Sequence, residues 1–506
     1  MKSTALKYVI MTITVPSIIG GIWLLGYWWL MPLYHSIWVI TRHIAVFILF
    51  TLIVGVITII LYETDHDGLA ITLGLSGFVF LMVLIPVSMY ESSHALYEAS
   101  AITTSTDADE LSYQERAPYD VAKATSSRTL GNTNGDAKDE IAYIPSLGTW
   151  STTVNRRGMG YDSIQEMKLP NIGEAKSSNV KFCSFAKSSK RSLKGNLWYS
   201  SLAVQIARET TASVTYDADD SFAVCDNGTP YVYVPLRTMR GFLFPYSVPA
   251  GVAVYNGSTG ELTIEKNLKN SKYPVYPMSI ANEQRNSMKA SGNMWSWMTS
   301  ASGYETTATD DGDPNGSNHG EFSLLSSTGH TQYVSPLTPR GSSSSIVAVG
   351  VMDSETINDG RLSSLSLHTY PKGKSRIANT TIEQTIKSNI LSGYRSNNLT
   401  VFEIVPTKNG EWTATVGSSQ TTIYRATVTV DGEITMKDMN GNTVSSTDGN
   451  DDSTSDDSTA SIPDDVKPSK PLSSMTPAEL NAWSKKLLDE ANQVNAELAK
   501  RAGNTK

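Results

Sequence analysis

The sequence predicts a membrane-anchored α+β protein: three amino-terminal transmembrane helices, then a β-rich domain of two helix-plus-antiparallel-sheet units. Three observations predict it. Long apolar runs fill the first 90 residues, short alternating strand patterns with Gly and Pro punctuation follow, and an acidic tract precedes a final amphipathic stretch. The 506 residues leave room for about three folding units.

The apolar runs at 8–31, 43–62 and 69–90 contain no Asp, Glu, Lys or Arg. Each reaches the ~20 residues that cross a bilayer's hydrocarbon. Pro16 and the Gly20-Gly21 pair would break a soluble helix but are common in transmembrane ones, and Tyr27, Trp28 and Trp29 close the first run where aromatic rings favour the interface. Residues 1–90 are therefore read as a three-span anchor. Lys2 and Lys7 precede the first span and only Arg42 marks the first loop, which predicts a cytoplasmic amino terminus and an extracytoplasmic chain after residue 90.

The two cysteines, Cys183 and Cys225, both fall in that outer part, an even pair that predicts a disulfide. Two unpaired buried thiols are the alternative. The chain carries a net charge of −8. No segment is basic enough to neutralise many phosphates, so direct nucleic-acid binding is not expected.

Residues 91–180 read as a juxtamembrane and irregular segment in which short strands begin at Ile141. Residues 181–270 read as a first α+β unit. Leu197, Leu202 and Ile206 mark a short helix, alternating strands follow, and Asp226-Asn227-Gly228 makes a hairpin turn. Residues 271–378 read as a polar insertion whose two strand-like stretches, around 344–353 and 362–371, join one of the sheets. Residues 379–443 read as a second α+β unit. There Thr380 and Glu383 match a capping box, and Ile382, Ile386 and Ile390 share a helical face that Gly393 can end. Both units end in a Gly-Glu-aliphatic-Thr-aliphatic strand, at 260–264 and 432–436.

The helix-then-meander order, closed in the first unit by Asn256-Gly-Ser-Thr-Gly-Glu261, resembles small extracytoplasmic domains of the PepSY or cystatin-like class. The resemblance covers residues 196–266 and 380–441. Asn256 stands where that class carries Asp. The resemblance implies a binding or regulatory module rather than a catalyst.

Residues 444–474 hold seven Asp among Ser, Thr and Pro, too little apolar surface to offset chain entropy, and read as a disordered linker. Thr476, Pro477 and Glu479 then start a helix over 475–503. Its stripe of Leu480, Trp483, Leu487, Val494 and Leu498 is a candidate interaction face.

Chemistry-bearing motifs are sparse. Asp311, Asp313 and Asn315 follow a calcium loop's alternation of oxygen ligands, but Glu321 comes one residue early for the bidentate position. An ordinary Asp/Asn/Gly surface loop is the competing reading; no other cofactor is expected. Asp217, Asp219 and Asp220 form a second acidic cluster, read as a solvated turn. Ser184 and Lys187 are spaced as a Ser-x-x-Lys pair without its companion motifs. No Walker loop, dinucleotide fingerprint, Gly-x-Ser-x-Gly or His-Glu-x-x-His occurs.

Two classes of function remain. One is a non-catalytic membrane protein with an extracytoplasmic interaction domain, a component of an envelope, secretion or DNA-transfer assembly. Its partners are the lipid bilayer, other membrane or envelope proteins, or a second copy of the chain. The other is an envelope hydrolase using paired carboxylates, which leave no sequence motif. Deleting residues 475–506 should leave membrane insertion and domain folding intact and weaken one association, measured by co-purification. Unfolding of the domain on deletion would contradict the interaction reading.

Overall fold

The computed structural model describes residues 49–64 and 66–444, apart from gaps at 131–135, 138–140, 156–159, 170–178, 194–200, 212, 242, 307–321, 342–344, 387–399, 408–409, 419–420, 430–431 and 439, together with isolated earlier positions. The chain divides into two bodies, Met1–Thr447 and Asp448–Lys506. All described residues belong to the first, so the acidic linker and the stripe from Leu480 to Leu498 lie outside them.

The run at 43–62 appears as α1 (Leu49–Glu63) and the run at 69–90 as the start of α2 (Asp67–Ala99). Among the described residues α2 alone is long and apolar enough to cross a membrane; α1 is shorter, and the run at 8–31 lies almost wholly outside them. The two helices form an antiparallel hairpin. Phe50 meets Phe80 at 4.9 Å between ring centroids, and Gly77 packs so tightly that a Cβ there would lie 2.8 Å from Val54 Cγ1. Small residues at the contact let apolar helices approach closely.

Past α2 the chain runs through β1 (Thr103–Ser105) into four tandem modules of one plan, a helix followed by an antiparallel meander. The first module has α3 (Tyr119–Thr129), β2 (Asp136–Ala137), β3 (Ala142–Ile144), β4 (Thr149–Asn155), β5 (Tyr161–Lys168) and β6 (Asn179–Ser184). Its strands β2 and β3 pair with the two halves of β4, as one interrupted strand. The second has α4 (Leu202–Glu209), then β7 (Val214–Tyr216) and β8 (Phe222–Asp226), again both on β9 (Thr229–Arg240), then β10 (Tyr246–Asn256) and β11 (Leu262–Glu265). The short β12 (Asn267–Leu268) leads on.

The third module begins with α5 (Met278–Ser287) and α6 (Met294–Met298). Strands β13 (Tyr304–Thr306) and β14 (Phe322–Leu325) both pair with β15 (Thr331–Pro339), which leads through β16 (Ser345–Ile346) to β17 (Ala348–Asp353). After β18 (Ile357–Asn358), which pairs with β12, comes β19 (Leu365–Thr369), and β1 adds to β19 in parallel. Strand β20 (Arg376–Ile377) returns to β16. The fourth module has α7 (Asn379–Thr385), β21 (Thr400–Pro406), β22 (Trp412–Ser418), β23 (Thr421–Val428), β24 (Ile434–Asp438) and β25 (Thr443–Val444), with a bulge in β21 between Val401 and Glu403.

The leading helix of each module buries one face on its own sheet: Tyr119 and Ala122 against Trp150 and Met167, Leu202 and Ile206 against Val234 and Tyr255, Ile280 and Ala281 against Tyr333 and Leu365, Ile382 and Ile386 against Ile404 and Ala426. The stretch read as a polar insertion thus builds a sheet and core of its own. Its strands hide small hydroxylated residues: Thr331, Ser335 and Thr338 of β15 are buried, and Ser335 Oγ accepts from Arg285 at 2.7 Å. The capping box also shifts. The N-cap of α7 is Ala378, with no side-chain cap bond, because the chain leaves β20 immediately before it and turns helical at once.

The modules interlock through polar groups. Glu403, in the β21 bulge, receives both Arg116 Nη2 contacts at 3.2 Å and the Tyr119 N–H at 2.9 Å. Pro118 is the N-cap of α3 and offers no side-chain cap, so a carboxylate of the fourth module caps the helix of the first. The Arg116 guanidinium lies 4.9–5.5 Å from the rings of Trp150, Tyr143 and Phe322, drawn from two modules. Its side chain is 4 % exposed and that of Glu403 2 %. The same device recurs at α5. Its N-cap is Pro277, and Asp220 of the second module accepts the Ser279 N–H at 2.8 Å and the Ser279 hydroxyl at 2.5 Å.

The expected disulfide is present. Cys183 in β6 and Cys225 in β8 join the first two modules, with Cα atoms 6.0 Å apart. Removing one member of a buried ion pair strands the other charge, which costs roughly 3–5 kcal/mol. Glu403→Ala should therefore lower the unfolding free energy of the full-length protein in nanodiscs by that order, and pairing it with Arg116→Met should recover part. A loss below ~1 kcal/mol would contradict a buried lock of this kind.

Candidate functional site

The end of the domain beside the helical hairpin is built from backbone carbonyls that α2 side chains reach. Tyr90 donates its hydroxyl to Gly292 O at 2.9 Å, and His94 Nδ1 lies 2.9 Å from Ala290 O. The Tyr90 ring meets Trp297 edge-on at 6.0 Å. Arg42, just ahead of the run at 43–62, donates to Gly241 O at 2.5 Å in the loop between β9 and β10. Sequence reasoning passed over this face because Gly292 and Gly241 contribute only backbone.

The acidic cluster is only partly solvated. Asp217 pairs with Arg237 at 3.8 Å, and Arg237 also reaches Glu283 of α5 at 3.4 Å. Asp219 is exposed, whereas both oxygens of Asp220 are engaged by Ser279. Burial pushes the Asp220 carboxyl up to about 7, against the Ser279 hydrogen bonds, with Asp217 adding to the rise and Arg237 opposing it. A carboxyl that holds its proton beside a second carboxyl could act as a general acid. Here the one that would hold the proton is committed to a helix end.

A Ser-His-Asp grouping joins β1 to β19. Ser105 Oγ donates to Asp107, and His368 Nδ1 lies 2.7 Å from Asp107 Oδ1 and 3.2 Å from Ser105 Oγ. Burial acts to raise the Asp107 pKa, but hydrogen bonds from Ser105 and His368 outweigh it and hold the carboxyl below its usual range. A nucleophilic triad needs one ring nitrogen on the acid and the other on the hydroxyl. Here Nδ1 serves both, so the group ties a strand to a sheet edge.

Cys183 and Cys225 are held as the disulfide, and Ser184 and Lys187 flank that staple at the end of β6. The calcium-loop residues Asp311, Asp313, Asn315 and Glu321 lie outside the described residues. Among the described residues no group of three His, Cys, Asp or Glu side chains is arranged to hold a metal ion. Asn256 performs the turn-forming role of an Asp: its Oδ1 accepts the N–H groups of Ser258 and Thr259 at 2.9 and 3.2 Å.

Comparisons with protein-family models, curated proteins and solved structures give no match.

The Asp220 environment predicts a pH dependence. The folded state holds its proton more tightly than the unfolded chain, whose value lies near ~3.9. Folding takes up a proton between that value and about 7, so this residue's contribution falls as pH rises through the window. Between pH 5 and pH 8 the wild-type protein should lose more resistance to urea than Asp220→Asn. An identical pH dependence in the two proteins would contradict the assignment.

Proposed function

We propose that the chain is a non-catalytic integral membrane protein whose four-module domain stands on the extracytoplasmic side as an interaction scaffold of an envelope, secretion or DNA-transfer assembly. One observation carries the membrane part: α2 presents exposed apolar side chains from Leu69 to Met89, and beyond Met89 the same helix packs into the domain. The antiparallel hairpin with α1 supports a chain that crosses and returns, so that Arg42 and Tyr90 emerge on one side. The excess of Lys2 and Lys7 over Arg42 makes that side the outer one. The disulfide fits an oxidising compartment.

The scaffold part is supported by modularity. Four helix-and-meander units offer repeated sheet surfaces, and the PepSY-like or cystatin-like resemblance of two of them implies binding rather than turnover. Beside the bilayer, the partners would be other envelope proteins or a second copy of the chain, engaged through the domain and the carboxyl-terminal stripe around Trp483.

The second reading, a hydrolase using paired carboxylates, has Asp217 and Asp220 in its favour. It is weaker because Asp220 caps α5 through both oxygens.

Protease added outside intact cells should cut the domain and leave a protected fragment containing the hairpin. Cross-linking in the same cells should trap a partner equally well with wild type and with Asp217→Asn. Cutting only after lysis would overturn the orientation, and loss of the trapped species with Asp217→Asn would favour the enzyme.

A further inference from the structure

Beyond Met89, five large apolar side chains among the described residues stand exposed: Leu147, Phe182, Leu243, Trp295 and Met298. Three of the five belong to the two segments that touch the outer ends of the hairpin. Trp295 (72 % exposed) and Met298 (52 %) lie on α6, two residues past the Gly292 carbonyl that Tyr90 holds; Leu243 (51 %) lies two residues past the Gly241 carbonyl that Arg42 holds.

Depth arithmetic gives this clustering a meaning. From Leu69 to Tyr90 the helix rises about 33 Å at 1.5 Å per residue, the thickness of a hydrocarbon core. Tyr90 therefore comes at the level where acyl chains give way to headgroups, and the carbonyl it binds brings α6 to the same level. Helix α6 buries none of its own residues, a costly exposure in water and the expected one for a Trp-rich segment at a bilayer interface. Each of the two segments has a basic group at hand: Lys289 Nζ sits 4.9 Å over the Trp297 ring, and Arg240, exposed next to Gly241, donates from Nη1 to Gly360 O at 3.2 Å. The acidic Glu91 follows Tyr90 on α2 and is half-buried.

We propose that α6 and Leu243, beside Gly241, lie in the headgroup boundary of the bilayer that α2 crosses, with Trp295, Met298 and Leu243 inserted at the acyl edge. The domain would then rest on phospholipid at a fixed tilt instead of swinging on a single helix. The proposal rests on the membrane-anchored reading, and the test separates the two.

The native cysteines are joined, so Trp295→Cys or Met298→Cys gives a single free thiol for an environment-sensitive fluorophore. Ser258→Cys, in the exposed turn after β10, is the control. The 11-residue strand carries it roughly 35 Å from the β9–β10 loop. In phosphatidylcholine nanodiscs the full-length protein labelled at 295 or 298 should emit at shorter wavelength and be quenched by nitroxide-bearing lipid, whereas the label at 258 should do neither. Labels at 295 and 298 as water-exposed as the one at 258, in protein that resists carbonate extraction, would overturn the interfacial contact alone. A label shielded from water but not quenched by lipid would mean that protein covers the patch, which also overturns it. Release by carbonate would sink the anchoring reading and this proposal together.

Discussion

Glu403 sits in a strand bulge near the end of the domain, yet the guanidinium and the helix amide it serves both lie at the domain's beginning. A proline ahead of α3 leaves that helix without a side-chain cap of its own, and a buried helix end cannot remain unsatisfied. The carboxylate answers this need, and Arg116, packed among Tyr143, Trp150 and Phe322, answers the carboxylate. Burial raises the Glu403 pKa and Arg116 opposes the rise, so the pair is stable only as a pair. Asp220 at α5 repeats the solution between the second and third modules.

From this constraint follows the path of the segment between α2 and α3. It runs along the last two modules: β1 pairs with β19, Asp109 meets Arg376, Tyr113 N–H reaches Thr407 O at 3.1 Å, and Glu115 meets Arg425. The domain after α2 is thereby closed on itself, first module to last, while the disulfide closes the first to the second. Contacts separated by more than 280 residues must form before the lock exists, which delays its assembly relative to the individual meanders.

The parts legible in the sequence were those written in local pattern. Asn227 and Gly228 have φ of 51° and 81°, the left-handed pair that the Asp-Asn-Gly turn requires. Leu202, Ile206, Ile382 and Ile386 are buried on the helical faces their spacing marks. Two modules escaped. In the first, α3 presents Ser126 to Gln165 at 2.6 Å where an apolar stripe would be expected. In the third, two separate strands, β13 and β14, pair with β15, and β15 buries Thr and Ser. Buried hydroxylated residues leave no apolar period of 2 or 3.6 to read. The Arg116–Glu403 lock left no signal because its partners are joined by folding alone, and the Trp295 patch was hidden inside a stretch judged by its average polarity.

Hydrogen exchange on the full-length protein in nanodiscs, followed through increasing urea, measures most directly whether four modules act as one body. The lock predicts that core amides of β4, β9, β17 and β22 lose protection together, at one denaturant concentration. Release of β22 well before β4, with the remaining modules still protected, would contradict it.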